Sequence, residues 1–171
     1  MLSSFPPVIH EQCSILILGS MPGAESLRLQ QYYAHPRNHF WKIIFHMFNG
    51  TVPEEYESRL AFSQSKGIAL WDVLQYCERE GSLDVNIQKP VANNFAELLA
   101  TYPNIRHLCF NGGKAYDLFK RHVQADLDLD LITLYPLPSS SPAHTISMDK
   151  KLKSWSVIGE LAGKFRHEEN V

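Results

Sequence analysis

Ser14-Ile-Leu-Ile-Leu-Gly19 is the stretch of sequence that decides the fold. Its apolar side chains are continuous rather than alternating, which is typical of a strand buried on both faces of a parallel sheet. A loop rich in Gly, Pro and Ser, residues 19–26, begins where this run ends. Because open parallel sheets bind ligands beyond the carboxyl ends of their strands, this stretch also predicts where functional residues lie.

Three further apolar runs and several longer segments extend this pattern along the chain. Strands are predicted at residues 67–73, 105–110 and 131–135. Helices are predicted at residues 40–48, 54–65, 93–101 and 114–123, and from a Ser147 cap onward. Because strands and helices alternate, we expect an α/β fold, a three-layer α/β/α sandwich with a central, mainly parallel four-stranded sheet. Residues 1–171 are expected to form one domain with a frayed tail at 166–171.

The composition limits the classes of function that fit the chain. Lys plus Arg number 16 against 18 Asp plus Glu, and the resulting net charge of -2 argues against strong nonspecific binding to DNA. No apolar run is long enough to span a bilayer, and residues 1–12 lack the apolar core of a signal peptide, so we expect a cytoplasmic protein. Cys13, Cys77 and Cys109 lie far apart without a CxxC pair, which predicts reduced, buried thiols.

Neither a nucleotide cofactor nor a metal is predicted. Gly19-Ser-Met-Pro-Gly23 has too few glycines, and no Lys-Ser or Lys-Thr pair, for a P-loop, and no GxGxxG follows it. His35 and His39 have the spacing of a helical metal site, but Pro36 lies between them and precedes the predicted helix start. No carboxylate stands at a matching spacing, so no metal is expected at these histidines.

Two motifs carry a family resemblance. Gly19-Ser-Met-Pro-Gly23, followed by His35-Pro-Arg-Asn-His-Phe-Trp41, resembles the uracil-DNA glycosylase superfamily. Within it, the chain most resembles the hypoxanthine-DNA (deoxyinosine) glycosylase branch. That branch also shows the motifs Leu70-Trp-Asp72, Cys77-Glu-Arg79, Gly81-Ser82 with Asp84, Phe110-Asn-Gly112 and Leu137-Pro-Ser-Ser-Ser-Pro-Ala143. The resemblance covers residues 14–165.

The resemblance implies a monofunctional DNA glycosylase of base excision repair, which hydrolyses the N-glycosidic bond of hypoxanthine, a deaminated base, after the nucleotide flips out of the duplex. Such an enzyme places water beneath C1′ and stabilises the departing base by hydrogen bonds. No lysine lies inside a motif, which argues against Schiff-base chemistry. The expected partner is DNA that contains a deaminated base, and we expect the protein to act as a monomer. Its expected location is the cytoplasm with the nucleoid in a bacterium, or the nucleus in a eukaryote.

The catalytic residues implied by the resemblance are Asn38 and Ser20. In the superfamily, the residue after the first-loop glycine positions water. This chain has Ser20 at that position, which is not one of the residues usual there. In the favoured branch the catalytic role belongs to the asparagine of the His-Pro-x-Asn motif, which matches Asn38. An amide takes up no proton at neutral pH, so Asn38 either orients water or hydrogen-bonds the base. Asn is also a common helix N-cap, which is the structural alternative.

The resemblance also implies a set of base-binding residues: Gly19, Met21, Pro22, Tyr33, Phe40, Asp72 and Asn111. A flipped base needs a ring to stack on, and Phe40 is the first choice with Tyr33 as the alternative. Asp72 ends a predicted strand, where it accepts a hydrogen bond from a purine N1–H or forms an ion pair with an arginine. Asn111 contacts the base or serves only as a turn residue before two glycines.

The loop after the fourth predicted strand resembles the superfamily's second motif, which enters the minor groove and contacts the DNA backbone. Its predicted DNA-binding residues are Ser139, Ser140, Ser141, Pro142 and His144. Three roles are compatible with His144: insertion into DNA, contact with a phosphate, or support of the leaving base. The alternative is that His144 is only a surface residue. Three lysines follow shortly after this loop: Lys150, Lys151 and Lys153. They either contact phosphates or belong to a solvated face.

Two other functions fit the same motifs. A mismatch-specific glycosylase for uracil or thymine opposite guanine also carries a His-Pro-x-Asn-x-Phe-Trp motif, but Ser20 argues against it because that group normally keeps Asn in the first loop. A noncatalytic module that binds nucleotides or damaged DNA is compatible with the acidic balance of the chain. It predicts binding without base release.

Overall fold

Strands and helices alternate along most of the chain. The structure, a computed structural model, describes the backbone of residues 1–169 and the side chains of residues 1–163. The strands in this part of the chain are β1 (Leu2–Ser3), β2 (Ile15–Gly19), β3 (Ile68–Asp72), β4 (Leu74–Glu78), β5 (Gln88–Ala92), β6 (His107–Asn111) and β7 (Thr133–Leu137). The α-helices are α1 (Ala24–Leu29), α2 (Phe40–Met47), α3 (Tyr56–Ser65), α4 (Phe95–Thr101), α5 (Gly113–His122) and α6 (Met148–Glu169). Single 3-10 turns lie at Asp84–Asn86 and Gln124–Asp126.

The four apolar runs form one parallel sheet in the order β3-β2-β6-β7. Every residue of β2 and of β3 is buried, which explains their continuous apolar character. The chain leaves β2 for β3 on one side and later crosses to β6 on the other. This reversal of direction creates a crevice at the carboxyl ends of β2 and β6, the usual ligand site of such sheets. The predicted four-stranded parallel sheet is confirmed.

Helices cover both faces of this sheet. Alternate residues of β2 point to opposite faces, so Leu16 and Leu18 belong to one core and Ile15 and Ile17 to the other. Helices α4 and α5 fill the first core through Phe95, Leu98, Leu118 and Phe119. Helices α2 and α6 fill the second through Phe40, Ile44, Trp155 and Ile158. The predicted three-layer α/β/α arrangement is therefore confirmed.

The sequence did not predict the second, antiparallel sheet or helix α1. The small sheet has the order β1-β4-β5, and Leu2 of β1 pairs with Cys77 of β4. Strand β5 is mostly exposed and contains Pro90, so its sequence lacks the apolar pattern of a strand. The connection between β4 and β5, residues 79–87, folds back over the loop that follows β2, and we call it the cover loop.

Several other expectations meet the structure here. The three cysteines are buried and free, as predicted, and burial raises the pKa of Cys109 to about 12. None of the helices in the described part of the chain is long and apolar enough to cross a bilayer. Within the same residues no group of three or more His, Cys, Asp or Glu side chains could hold a metal ion. The predicted frayed tail at 166–171 lies outside the residues that are described in full.

Candidate active site

A cavity of about 550 Å³ opens at the carboxyl ends of β2, β3 and β6. Its volume lies within the range of roughly 300–1,000 Å³ that is typical of small-molecule sites. Of the fourteen site residues predicted from the sequence, thirteen line this cavity, and Phe40 is the exception. The topological crevice and the sequence motifs therefore coincide.

Another cavity, of about 590 Å³, lies between the end of α2 and helix α6. It is bordered by His46, Met47, Leu152 and Gly159, among others, and contains none of the predicted site residues. It lies away from the carboxyl ends of the parallel strands, where chemistry is expected on this fold. We therefore assign the active site to the cavity at the strand ends.

Asn38 connects the first turn of α2 to residues 139–144, the loop that resembles the superfamily's second motif, which we call the second-motif loop. Its Oδ1 accepts a hydrogen bond from the backbone N–H of Phe40 at 2.9 Å and a second from the hydroxyl of Ser140 at 2.8 Å. The bond to Phe40 N–H satisfies a free donor at the helix start, but the N-cap position belongs to His39, so the alternative that Asn38 is the N-cap is wrong. The bond from Phe40 N–H also fixes the orientation of the Asn38 amide, because the oxygen is the only atom of that amide that accepts a hydrogen bond.

The two bonds to Asn38 decide what its amide offers to the cavity. A carbonyl oxygen has two lone pairs, and both are used on Oδ1. The Nδ2 group has no hydrogen-bond acceptor among the described residues of the chain. Asn38 lines the cavity, and the N–H donors of Nδ2 are the only hydrogen-bonding groups that its amide still has to offer a ligand.

Asn111 positions the second-motif loop through both ends of its amide. Its Nδ2 donates to Ser140 Oγ at 2.9 Å, and its Oδ1 accepts from the backbone N–H of Ser140 at 2.8 Å. The turn itself is made by Gly112, which has a φ of +99°, and an added Cβ there would lie 3.0 Å from Ser139 Cβ. Asn111 is therefore more than a turn residue, because it supports Ser140 and through it Asn38.

Asp72 is a buried carboxyl group at the end of β3, with 3% of its surface exposed. It lies so close to Gly19 that an added Cβ at that glycine would be 2.5 Å from Asp72 Oδ1. Its Oδ2 has no hydrogen-bond partner, and within the described chain Asp72 forms no salt bridge, contrary to the ion-pair alternative. Burial raises the pKa of Asp72 to about 7, assisted by the charge of Asp84 and opposed by Arg79. This carboxyl can therefore accept or donate a hydrogen bond near neutral pH.

Tyr33 lies at the wall of the cavity and Phe40 lies behind it. The two rings stack with centroids 3.8 Å apart and planes inclined by 22°, and Phe40 is 0% exposed. Tyr33 has a φ of +57°, a left-handed backbone conformation that is uncommon for an aromatic residue. Burial, followed by the charge of Asp72, raises the pKa of its hydroxyl. The choice of Phe40 as the ring nearest the base does not fit this geometry, because Tyr33 covers it.

Ser20 faces a residue to which the sequence assigned no role. Its hydroxyl donates a 2.6 Å hydrogen bond to Oδ1 of Asp84, which also lines the cavity. Two more bonds hold the cover loop in place: Ala24 N–H donates to Ser82 Oγ at 2.8 Å, and Arg79 Nη2 donates to the carbonyl of Pro22 at 2.6 Å. Asp84 belongs to the motif Gly81-Ser82 with Asp84, which contributes to the family resemblance. That motif was the only feature of the sequence that could have indicated a role for Asp84.

Lys151 is neither a phosphate contact nor part of a solvated face. Its side chain is 0% exposed, and Nζ lies 3.3 Å from both His39 Nδ1 and the carbonyl oxygen of Ser141. Desolvation lowers the pKa of Lys151. The pKa of His39 is also lowered, first by desolvation and then by the nearby charge of Lys151. Lys151 therefore supports the second-motif loop from beneath. Lys150 and Lys153, by contrast, are exposed.

Comparisons with known proteins agree with this geometry. The profile described as "Uracil DNA glycosylase superfamily" matches residues 6–159. A protein of Methanosarcina acetivorans named "Hypoxanthine DNA glycosylase" is 36% identical over 166 residues, covering 95% of this chain and 97% of the relative. A protein of the same name from Methanosarcina barkeri is 36% identical over 155 residues, covering 89% and 94%.

A solved structure is similar as well. The solution NMR structure of a Methanosarcina acetivorans protein, provisionally described as a uracil DNA glycosylase, superposes with a TM-score of 0.79 at 34% sequence identity. The match covers 94% of this chain and 98% of that one. Fold, motif positions and sequence similarity thus point to the same group of proteins.

Proposed function

This chain belongs to the uracil DNA glycosylase superfamily, and we propose that it is a monofunctional glycosylase that removes hypoxanthine from DNA at the start of base excision repair. The shared name of the two Methanosarcina relatives supports hypoxanthine as the base. One observation carries the proposal: both lone pairs of Oδ1 of Asn38 are occupied, so the amide of this cavity-lining residue has only its N–H donors left for a ligand.

The donors of Asn38 suit the charge that develops during the reaction. As the N-glycosidic bond breaks, its electron pair leaves with the base, and negative charge spreads over the ring nitrogens and the carbonyl oxygen of hypoxanthine. A donor held in place strengthens its hydrogen bond as this charge grows. An attacking water needs an acceptor to orient it, and Oδ1 of Asn38 is already used. We therefore assign Asn38 to the leaving base and not to the water.

Asp72 and Tyr33 supply the remaining contacts to the base. The free Oδ2 of Asp72 is a suitable acceptor for the N1–H of hypoxanthine. Tyr33 offers a ring face at the cavity wall, and Phe40 supports that ring from behind. The base is thus held between a stacked aromatic pair and polar groups on the strand ends.

The second-motif loop is the proposed contact to the DNA backbone. His144 is exposed and lines the cavity together with the half-buried Ser139 and Ser141, and these three are the proposed phosphate contacts. Ser140 is buried and serves instead to fix the loop to Asn111 and Asn38. The proposed acting form is a monomer. As its substrate is DNA, we place the enzyme in the cytoplasm with the nucleoid in a bacterium, or in the nucleus of a eukaryote.

A glycosylase for uracil opposite guanine is the second candidate. It is favoured by the similarity to the NMR structure described as a uracil DNA glycosylase. Ser20 argues against it, because Ser20 already donates its hydroxyl to Asp84 and is not the amide that this group carries. A noncatalytic DNA-binding module is the third candidate.

One assay tests the three functions. Labelled duplexes with a single inosine, uracil or xanthine are incubated with the wild-type protein or with Asn38→Ala, and abasic sites are then cleaved with alkali. We expect breaks at inosine that depend on Asn38. Faster cleavage at uracil opposite guanine would contradict the substrate, whereas binding without breaks at any base would favour the noncatalytic module.

A further inference from the structure

We propose that Asp84 accepts the proton of the attacking water through the hydroxyl of Ser20. The inference rests on the proposed function and adds a component that the motifs did not assign. Its basis is the 2.6 Å hydrogen bond from Ser20 Oγ to Asp84 Oδ1 at the cavity wall.

The need for an acceptor other than Asn38 follows from the geometry of the site. Hydrolysis requires that water lose a proton as it attacks C1′, so an acceptor must lie at the cavity. Oδ1 of Asn38 already accepts two hydrogen bonds, which removes it from this role. Three carboxyl groups line the cavity: Glu25, which is paired with Arg28, and Asp72 and Asp84 near the end of β2. Burial raises the pKa of Asp72 to about 7, so it is the weaker candidate for a charged acceptor at neutral pH.

The hydroxyl of Ser20 is suited to pass the proton on. Ser20 is 7% exposed and follows the glycine at the end of the central strand β2. Because its O–H points at Asp84, the lone pairs of Oγ remain available to accept from water. A serine oriented by a carboxylate can therefore both position a water molecule and relay its proton.

The proton and electron balance of the step is simple. The oxygen of water forms a bond to C1′ while the bond from C1′ to the base nitrogen breaks, and the electron pair of that bond leaves with the base. The water proton moves to Ser20 Oγ as the serine proton moves to Asp84 Oδ1. Asp84 later releases its proton to solvent, and the base anion takes one up. No oxidant, reductant or metal takes part.

The cover loop holds Asp84 in place for this role. Arg79 Nη2 donates to the carbonyl of Pro22, and Ser82 Oγ accepts from Ala24 N–H, so the segment that follows Ser20 is fastened to the cover loop. The charge of Asp84 lies close enough to act on Asp72 at the end of β3, Tyr33 before α2 and Cys77 of β4, and Arg79 is a charged neighbour in the same loop. Because the pKa of Asp72 is raised to about 7, its own variant is included in the test.

Single-turnover base release from an inosine duplex tests the proposal. The variants are Asp84→Asn, which keeps an oxygen for the Ser20 hydroxyl but accepts no proton, and Ser20→Ala, which removes the relay. Glu80→Gln is the matched control, because it removes an exposed negative charge from the same loop. Each protein is measured across a pH series, and duplex binding is measured in parallel.

We expect Asp84→Asn to lower the rate by about 100-fold or more, the usual value of general-base catalysis, with binding as in Glu80→Gln. The fall in rate at acid pH should be lost in Asp84→Asn and retained in Asp72→Asn. If Asp84→Asn keeps the wild-type rate, or keeps the acid fall while Asp72→Asn loses it, the role of Asp84 is overturned and the glycosylase function stands. If the wild type releases no base, both proposals are overturned.

Discussion

The hydroxyl of Ser140 donates a 2.8 Å hydrogen bond to Oδ1 of Asn38, across 102 residues of sequence. Together with the bond from Phe40 N–H, this bond occupies both lone pairs of Oδ1, so the amide of Asn38 can act toward a ligand only as a donor. It links the His-Pro-Arg-Asn motif to the second-motif loop, and Asn111 at the end of β6 holds the same serine.

Replacing Asn38 by Asp should separate the two roles that its amide could play. The carboxylate can still accept from Phe40 N–H and Ser140 O–H, but it has no donor for the leaving base. We expect single-turnover release of hypoxanthine to fall about 100- to 1,000-fold, as when a donor to a developing anion is lost. Asn104→Asp, the same change at an exposed residue, should be silent. An active Asn38→Asp enzyme would show instead that Asn38 orients water.

Replacing Ser140 by Ala should reduce stability as well as activity. Ser140 is 1% exposed, and its loss leaves Asn111 Nδ2 without an acceptor in a buried setting. We expect a loss of about 2 kcal/mol in the free energy of unfolding and a Tm lower by about 4–8 °C. Ser154→Ala on the exposed face of α6 is the control. Equal melting temperatures for the two variants in calorimetry would argue against the hydrogen-bond network.

Replacing Asp72 by Asn should change how stability depends on pH. The pKa of Asp72 is raised to about 7 in the native state, so between its ordinary value of 3.8 and about 7 the native state holds a proton that the unfolded state has lost. Its contribution is fully present below pH 3.8 and is lost as pH rises through 7. The loss amounts to about 4 kcal/mol for a shift of this size.

Urea denaturation of both proteins measures this effect. The wild type should lose stability relative to Asp72→Asn as pH rises from 4.5 to 8, because the amide does not titrate. Taking the difference between the two proteins cancels the titration of the other carboxyl groups. A difference that stays constant across the pH range would show that Asp72 has an ordinary pKa.

Replacing Gly19 by Ala should distort the site, because the new Cβ would lie 2.5 Å from Asp72 Oδ1 and 3.2 Å from the Tyr33 hydroxyl. We expect a loss of about 1–3 kcal/mol in stability, typical of overpacking, together with loss of base release. Gly163→Ala in α6 is the control, since open space surrounds that position and alanine favours a helix. Chemical denaturation should therefore show opposite changes for the two variants, and Asp72→Ala should relieve part of the Gly19→Ala defect.

Several features of this protein follow from the sequence alone. Apolar runs predicted the four strands of the parallel sheet within two residues of their observed ends, although β7 is a partly exposed edge strand and not a buried one. The alternation of strands with helices predicted the α/β/α layers. Motifs at the strand ends located the cavity, because parallel strands bring their carboxyl ends to one edge of the sheet. These are local patterns, set by the burial of neighbouring residues in the chain.

Only the tertiary structure decided which side chains act together. Asp84 meets Ser20 across 64 residues, and Lys151 lies beneath the second-motif loop beside His39, 112 residues away. Whether Tyr33 or Phe40 faces the cavity was likewise decided by packing, since both are aromatic and close in sequence. The reason is that local sequence specifies which surfaces of a segment are apolar, whereas contacts between distant polar side chains depend on how the loops fold over the completed sheet.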